Sequence, residues 1–462
     1  LIGTLLLAGL TGAAQRDARA AGVEHPDVGT VAVGRAGAYA ADPIDGFAMQ
    51  YNPAGFASQK GLRVTFDSSF AWQGLTFASS APSATPVASV SNSAGPFWEP
   101  GGAVSYGLGA IGPLSGLTFA FGATGPSAIG KLNYPANGAQ RYALINSDFF
   151  IVYYSAAVAA SFRDWLAAGL TLQLVKGTAK FSQAVWSGTF VDDDINNQSF
   201  DSTAHVDVSS GFIPTVVAGI TVRPTPRVAI GISYRPHFTF DASGTLDTDP
   251  PPGQTIAQQV PKPGPATFSL NLADVVRLGV QVLPRNRVLV EADVVWEHWT
   301  PLQSIVVHPE GINLVGPITK PLPDIVFPKN FGNAVSIRLG GEYALLPGQL
   351  TLRGGYLFET SAIPIESTNV DFGNWVRHML AIGASYKIPR SPVTVDLAYA
   401  HHFIPSRTVT NSTAQQIVAP CVLVQGCQEP AGIIVGNGTY DASLDVISLS
   451  VRLALDLGWP RP

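Results

Sequence analysis

Segments with a two-residue period recur along this chain from Gly61 onward, and the connections between them alternate strictly between short and long. The pattern predicts fourteen strands, at about residues 61–77, 98–109, 115–125, 146–162, 165–181, 203–222, 227–240, 267–283, 287–299, 333–345, 349–359, 376–388, 392–403 and 441–456. Residues 110–114, 163–164, 223–226, 284–286, 346–348 and 389–391 form tight turns, whereas 182–202, 241–266, 300–332 and 404–440 are long and rich in Gly, Pro, Ser and Asn. Short turns on one side and long loops on the other are the build of an up-and-down antiparallel barrel, with turns in the periplasm and loops outside. An even strand count returns both ends of the barrel to the periplasmic side.

The two faces of each segment differ in chemistry. In the tenth, Val335, Ile337, Leu339, Tyr343 and Leu345 share one parity, and Ser336, Arg338, Gly340 and Glu342 the other. The ninth, eleventh and fourteenth repeat the pattern, with Glu291, Asp293, Arg353 and Arg452 on the polar parity. A Lys or Arg on the lipid face near the bilayer midplane costs about 2 to 4 kcal/mol, so charges confined to one parity mark an interior. A soluble β-sandwich also alternates. Against it stand tryptophans at strand ends (Trp72, Trp98, Trp165, Trp186, Trp296, Trp299, Trp459), as an interfacial girdle requires.

Arg277, Glu291, Asp293, Arg338, Glu342, Arg353, Arg377, Asp396 and Arg452 are expected to form an interlinked ion-pair lattice inside, with Arg338 and Arg353 as candidate partners for a ligand carboxylate. Ile151, Tyr153, Leu357 and Met379 also fall on the inward parity, and this greasy lining suits a greasy ligand.

Only 13% of residues are charged, and mean hydropathy is +0.22. No run of about 18 apolar residues exists to make a spanning helix, the nearest being 149–162. A membrane protein without spanning helices must close its backbone hydrogen bonds in a barrel. The net charge of −5 offers no basic face for nucleic acid. Residues 1–20 are expected to be the remnant of a signal peptide, with an apolar core at Leu1 to Leu10 and an A-x-A site at Ala18-Arg19-Ala20. That leaves a 21–60 entry segment and a 61–462 barrel. Cys421 and Cys427 sit in a Pro/Gly-rich stretch where an oxidising compartment would let them pair; two free thiols are the alternative.

The stretch from Val28 to Ala57 is neither strand nor amphipathic helix. Gly29, Gly34, Gly37 and a run of alanines let it pack closely against surrounding walls, and it closes on Asn52-Pro53-Ala54-Gly55. It reads as a plug. Gly34-Arg35-Ala36-Gly37 followed by Asp42, and then the Asn52-Pro53-Ala54 triplet, resemble the FadL-type family of outer-membrane transporters for long-chain fatty acids and aromatic hydrocarbons. Later stretches are similar to the family in order and spacing: Arg141-Tyr142, Trp296-Glu297-His298-Trp299, Leu352-Arg353-Gly354-Gly355-Tyr356 with Ala362-Ile363-Pro364, and Val395-Asp396-Leu397-Ala398-Tyr399. Ile363 departs from the family, standing where Pro is frequent.

The resemblance implies a hatch inside a barrel in the bacterial outer membrane. It implies passive uptake of hydrophobic compounds, captured by outer loops, held above the hatch and released sideways at a kinked third strand. Gly34, Arg35, Asn52, Pro53 and Ala54 would then be hatch residues, and Gly122, Gly125 and Pro126 the gate. Glycine weakens strand pairing and proline removes a ladder donor, although a plain turn explains Pro126 equally well.

Other motifs carry no chemistry. Gly107-Leu108-Gly109-Ala110-Ile111-Gly112 matches G-x-G-x-x-G but leads into Pro113 and another strand, so it is a turn. His401 and His402 are adjacent on a strand and point to opposite faces. Asp192-Asp193-Asp194 is a solvated acidic loop by default, with calcium or a bridge to lipopolysaccharide as the alternative. No catalytic motif, metal site or cofactor is expected. The expected partners are hydrophobic small molecules and the lipid and lipopolysaccharide of the outer membrane, and a monomer is the expected state. A general porin for polar solutes and an outer-membrane lipase stay open as rivals.

Overall fold

The computed structural model describes residues 27–125, 130–188, 194–251, 263–315, 318–420 and 431–455. Fourteen antiparallel strands form the barrel: β1 Gly61–Ser79, β2 Phe97–Gly107, β3 Leu114–Thr124, β4 Asn146–Phe162, β5 Leu166–Trp186, β6 Ile213–Thr225, β7 Val228–Arg235, β8 Asp274–Arg285, β9 Val288–His298, β10 Ala334–Leu346, β11 Leu350–Glu359, β12 Arg377–Lys387, β13 Val393–Val409 and β14 Gly438–Leu455. Each pairs with the next, and β14 returns to β1 with Leu62 opposite Leu455. The ring closes on itself.

Alternation drives the closure. Along β4 buried and exposed residues alternate over its length. Leu170, Leu172, Leu174, Ile230, Ile232, Ile337, Leu339, Ile382, Leu397 and Leu449 stand exposed on the outer surface, as a lipid-facing skin requires. The β4–β5 turn is built on Arg163 and Asp164, both at positive φ, which matches the twist of the flanking strands.

Three predicted strands need correction. Residues 203–222, 227–240 and 267–283 each contain two strands, because Asp201–Ser210, Phe238–Asp249 and Gly264–Leu272 are separate from β6, β7 and β8. The buried parity switches at each break. Even-numbered residues are buried in Ala204 to Ser210 and odd-numbered ones in Thr215 to Thr221, with the change at Gly211-Phe212. Similar switches fall at Pro236-His237 and at Ala273. A change of face within two residues marks a bend in the wall.

Above the bend, the outer half of β5 carries an outer branch of the same sheet, here called the outer sheet, ordered Asp201–Ser210, Phe238–Asp249, Gly264–Leu272, Ser304–Pro309 and Ile325–Pro328. Two predicted girdle residues, Trp186 and Trp299, are buried beneath these outer elements, whereas Trp72, Trp98, Trp165 and Trp296 are exposed. Their positions at strand ends looked alike in sequence; the outer sheet separates them. Trp459, Cys421 and Cys427 lie outside the described residues.

Candidate transport site: hatch and apolar chamber

Residues 27–58 fill the periplasmic half of the barrel as two single-turn helices, Thr30–Val33 and Ala48–Tyr51, and the 3-10 helix Pro53–Ser58. Almost every residue of the segment is buried. The Asn52 side chain starts the 3-10 helix by accepting the Ala54 N–H at 3.1 Å, and Pro53 follows where its missing donor costs nothing. Asn52 Nδ2 also donates to the Ala40 carbonyl at 2.8 Å and to Thr221 Oγ1 of β6 at 3.1 Å. The triplet thus ties the hatch to itself and to the wall.

Wall carboxylates take up the hatch backbone. Asp293 accepts the N–H groups of Tyr39 and Ala40 at 2.8 and 2.9 Å, Glu291 accepts that of Ala41 at 2.8 Å, and Asp67 that of Thr30 at 2.8 Å. Thr30 is the first residue of its helix and Tyr39 to Ala41 lie in no helix or strand, so these N–H groups would otherwise be buried without partners.

Two chains of ion pairs cross from hatch to wall. Arg35 bonds Glu291 and lies 3.6 Å from Glu342, which accepts from Arg353 at 2.9 Å; Arg353 lies 3.7 Å from Asp396, which accepts from Arg452 at 2.6 Å. In the second, hatch Asp27 pairs with Arg338, which lies 3.9 Å from Glu359, itself 2.8 Å from Arg377. Arg338 and Arg353 are therefore held by carboxylates of the hatch and wall. Arg277 lies over the Tyr51 ring, 5.6 Å from its centroid.

Glycines of the wall make room for this packing. A Cβ at Gly219 would fall 2.1 Å from Asn52 Oδ1, and one at Gly355 2.4 Å from the Arg35 carbonyl carbon. Gly219→Val is expected to leave a barrel with an unseated hatch, at a cost of about 1 to 3 kcal/mol. Single-channel current in a planar bilayer checks this; a variant as silent as the parent would contradict it.

The other predicted residues divide in the same way. Gly34 approaches Gly383 of β12, and Leu357 and Met379 pack with Val33 and Ala36 of the hatch. Gly122 is paired on both sides, with Ala103 and Ser155, and its missing Cβ leaves room for Met49. The β3–β4 ladder ends with Thr124 opposite Tyr153; Gly125 then donates its N–H to the Pro100 carbonyl at 3.1 Å. Pro126 lies outside the described residues. Ile151 and Tyr153 belong to the apolar core above the hatch.

That core lines a chamber with about 40 Å³ of free space, whose walls include Phe149, Phe181, Phe268, Phe327 and Phe372, with Leu144 and Ile305. Phe268 is the hub, its ring centroid 6.0 Å from Phe149 and 5.8 Å from Phe181. Its one ion pair among the described lining residues is Lys329 with Asp371, the ammonium also lying 4.9 Å from the Phe372 ring centroid. Lys329 faces a second, more polar cavity of about 260 Å³ as well, lined by Tyr142, Ser367, Asn369, Thr413 and Gln416 among others. The Arg141-Tyr142 pair holds the outer loop: Arg141 Nε and the Tyr142 hydroxyl both donate to Asp201 at 2.5 Å. Burial pushes the Tyr142 phenol up, so it stays a donor.

Parity placed Ile151 and Tyr153 inside but missed Phe149 on the same face, and Phe181 and Phe268 were open to the same reading. Phe327, on the short outer strand Ile325–Pro328, and Phe372, in an outer loop, carry no periodic signal. No cluster of His, Cys, Asp or Glu that could hold a metal ion occurs among the described residues, and Asp192 and Asp193 fall outside them.

A closed fourteen-stranded barrel with its own N-terminal segment wedged across the lumen, and an apolar chamber above it, defines a plugged transport barrel of the outer membrane. The chain belongs to the outer membrane protein transport family (OMPP1/FadL/TodX), whose model matches residues 11–439. The family places it in the bacterial outer membrane, among transporters of hydrophobic small molecules. Among solved structures it is similar to a Pseudomonas aeruginosa FadL homologue (TM-score 0.76, 15% identity, 94% of this chain and 100% of that one). It is also similar to the Ralstonia pickettii toluene transporter TbuX (0.63, 16%, 93% and 99%) and the P. putida toluene transporter TodX (0.65, 14%, 94% and 100%). At these identities the likeness is one of fold. No curated protein sequence matches the chain.

Proposed function

We propose that this protein, acting as a monomer, takes hydrophobic compounds such as long-chain fatty acids or aromatic hydrocarbons from the cell surface into its apolar chamber and releases them sideways into the membrane. The chamber carries this reading: five phenylalanines converge above the hatch, where a polar solute would lose most of its hydration and meet a largely apolar wall. A hydrophobe gains about 25 cal/mol for each Å² withdrawn from water. Sideways release follows from the same balance, since such a solute has no reason to enter the aqueous periplasm.

Phe268→Asp places a charge at the hub of the chamber and is expected to abolish uptake of radiolabelled oleate and toluene by whole cells while the barrel still assembles. Uptake at the parental rate would overturn the reading. Lys329→Met separates the two substrate classes. A fatty-acid carrier that uses the ammonium to meet a carboxylate loses oleate uptake and keeps toluene uptake; equal retention of both assigns the chamber to neutral hydrocarbons.

A further inference from the structure

The ladder between β6 and β7 is interrupted in the outer half of the wall. Their ladder runs up to Tyr234 opposite Ala218 and stops; pairing resumes in the outer sheet with Ala242 opposite Ser210. No backbone pairing joins residues 211–217 to 235–241. The same register holds below and above, so the strands part and rejoin with no inserted residue forcing them apart. Each is firmly held on its other side, Ile213 opposite Val175 and Arg235 opposite Val275.

The sequence explains why the edges do not zip. Carried through, the register would set Pro214 opposite Phe238 and Val216 opposite Pro236, and proline has no N–H to give. Six residue steps span about 20 Å along a strand. Unpaired backbone at the lipid boundary is costly, so an interruption of this length needs a use.

Aromatic side chains connect it to the chamber. Phe238 and Phe240, on the edge of the interruption, are buried. The Phe240 ring lies 6.4 Å from Phe268, the hub of the chamber lining, and Phe238 meets Tyr153 edge to face at 6.3 Å. At the outer rim Phe212 is 59% exposed, packed on Tyr154 at 5.9 Å and capped by Lys176, 5.2 Å from its ring centroid. The exposed apolar residues Leu170, Leu172 and Leu174 end just below that lysine, which sets the rim at the outer edge of the apolar skin.

We infer that the β6–β7 interruption is a lateral port through which apolar solutes pass between the chamber and the outer leaflet, at a wall position separate from the third strand. The inference rests on the transport reading above. It is tested in a Cys421→Ser, Cys427→Ser background carrying Val216→Cys and Pro236→Cys, the two edges being bridged after assembly by a reducible bis-methanethiosulfonate reagent. Bridging, confirmed by mass spectrometry, is expected to reduce uptake of radiolabelled oleate and toluene to that of cells lacking the protein, and reductant to restore it. Bridged protein that takes up both probes at the unbridged rate overturns the port. Uptake absent even without the bridge counts against the transport reading instead. A second measurement does not depend on uptake: bimane attached at Phe240→Cys in the same background should be quenched by lipids brominated on their acyl chains, and an unquenched label contradicts the port.

Discussion

Arg338→Met is expected to cost about 3 to 5 kcal/mol, because it takes its guanidinium partner from buried Asp27 and leaves buried Glu359 with Arg377 alone. Asp27 comes from the hatch and Glu359 from β11, and the Arg338 guanidinium lies between them. Methionine fills much of the volume, so the loss is electrostatic rather than a cavity. A conservative Arg338→Lys keeps the charge but cannot reach both carboxylates in a planar fork, and should recover part of the stability. Thermal unfolding in detergent measures both. Variants that melt with the parent protein would show that the Arg338 pairs do not hold the hatch.

Removing residues 28–57 altogether has the second large effect. The hatch occupies the space ringed by Asp67, Arg223, Glu291, Asp293, Arg338, Glu342 and Asp396, and its loss leaves that charged ring to water. The deleted protein should conduct ions steadily in a planar bilayer where the intact protein is silent. The outer loops do not close the path in this account, since the sealing contacts lie in the periplasmic half. A deletion variant that stays silent would assign the seal to the outer sheet.

Much of this was legible in the sequence, for a physical reason. Charges such as Arg353, Glu342 and Asp396 cannot face lipid, so parity alone put them inside and near one another, and the ladders set them in reach. The small-residue run around Gly34 and Ala36 announced close packing, and both meet the wall. What parity could not reveal is a change of face. Residues 203–222 alternate on either side of Gly211-Phe212, and a strand whose buried side switches there scans as one strand with a blemish. That blemish is where the wall bends into the outer sheet and where β6 and β7 separate. Residues of the long outer connections were the other blind spot. Phe327, Lys329 and Phe372 reach the chamber by tertiary packing, and no local pattern predicts that. Wall glycines such as Gly219 and Gly355 look like weak points of a strand, yet they seat the hatch.

Liposomes containing the purified protein allow both kinds of permeation to be read in one preparation. The account predicts transfer of labelled oleate or toluene well above that of protein-free vesicles, with no swelling in isosmotic arabinose. Swelling in arabinose without transfer of either hydrophobe would contradict it and would describe a general porin.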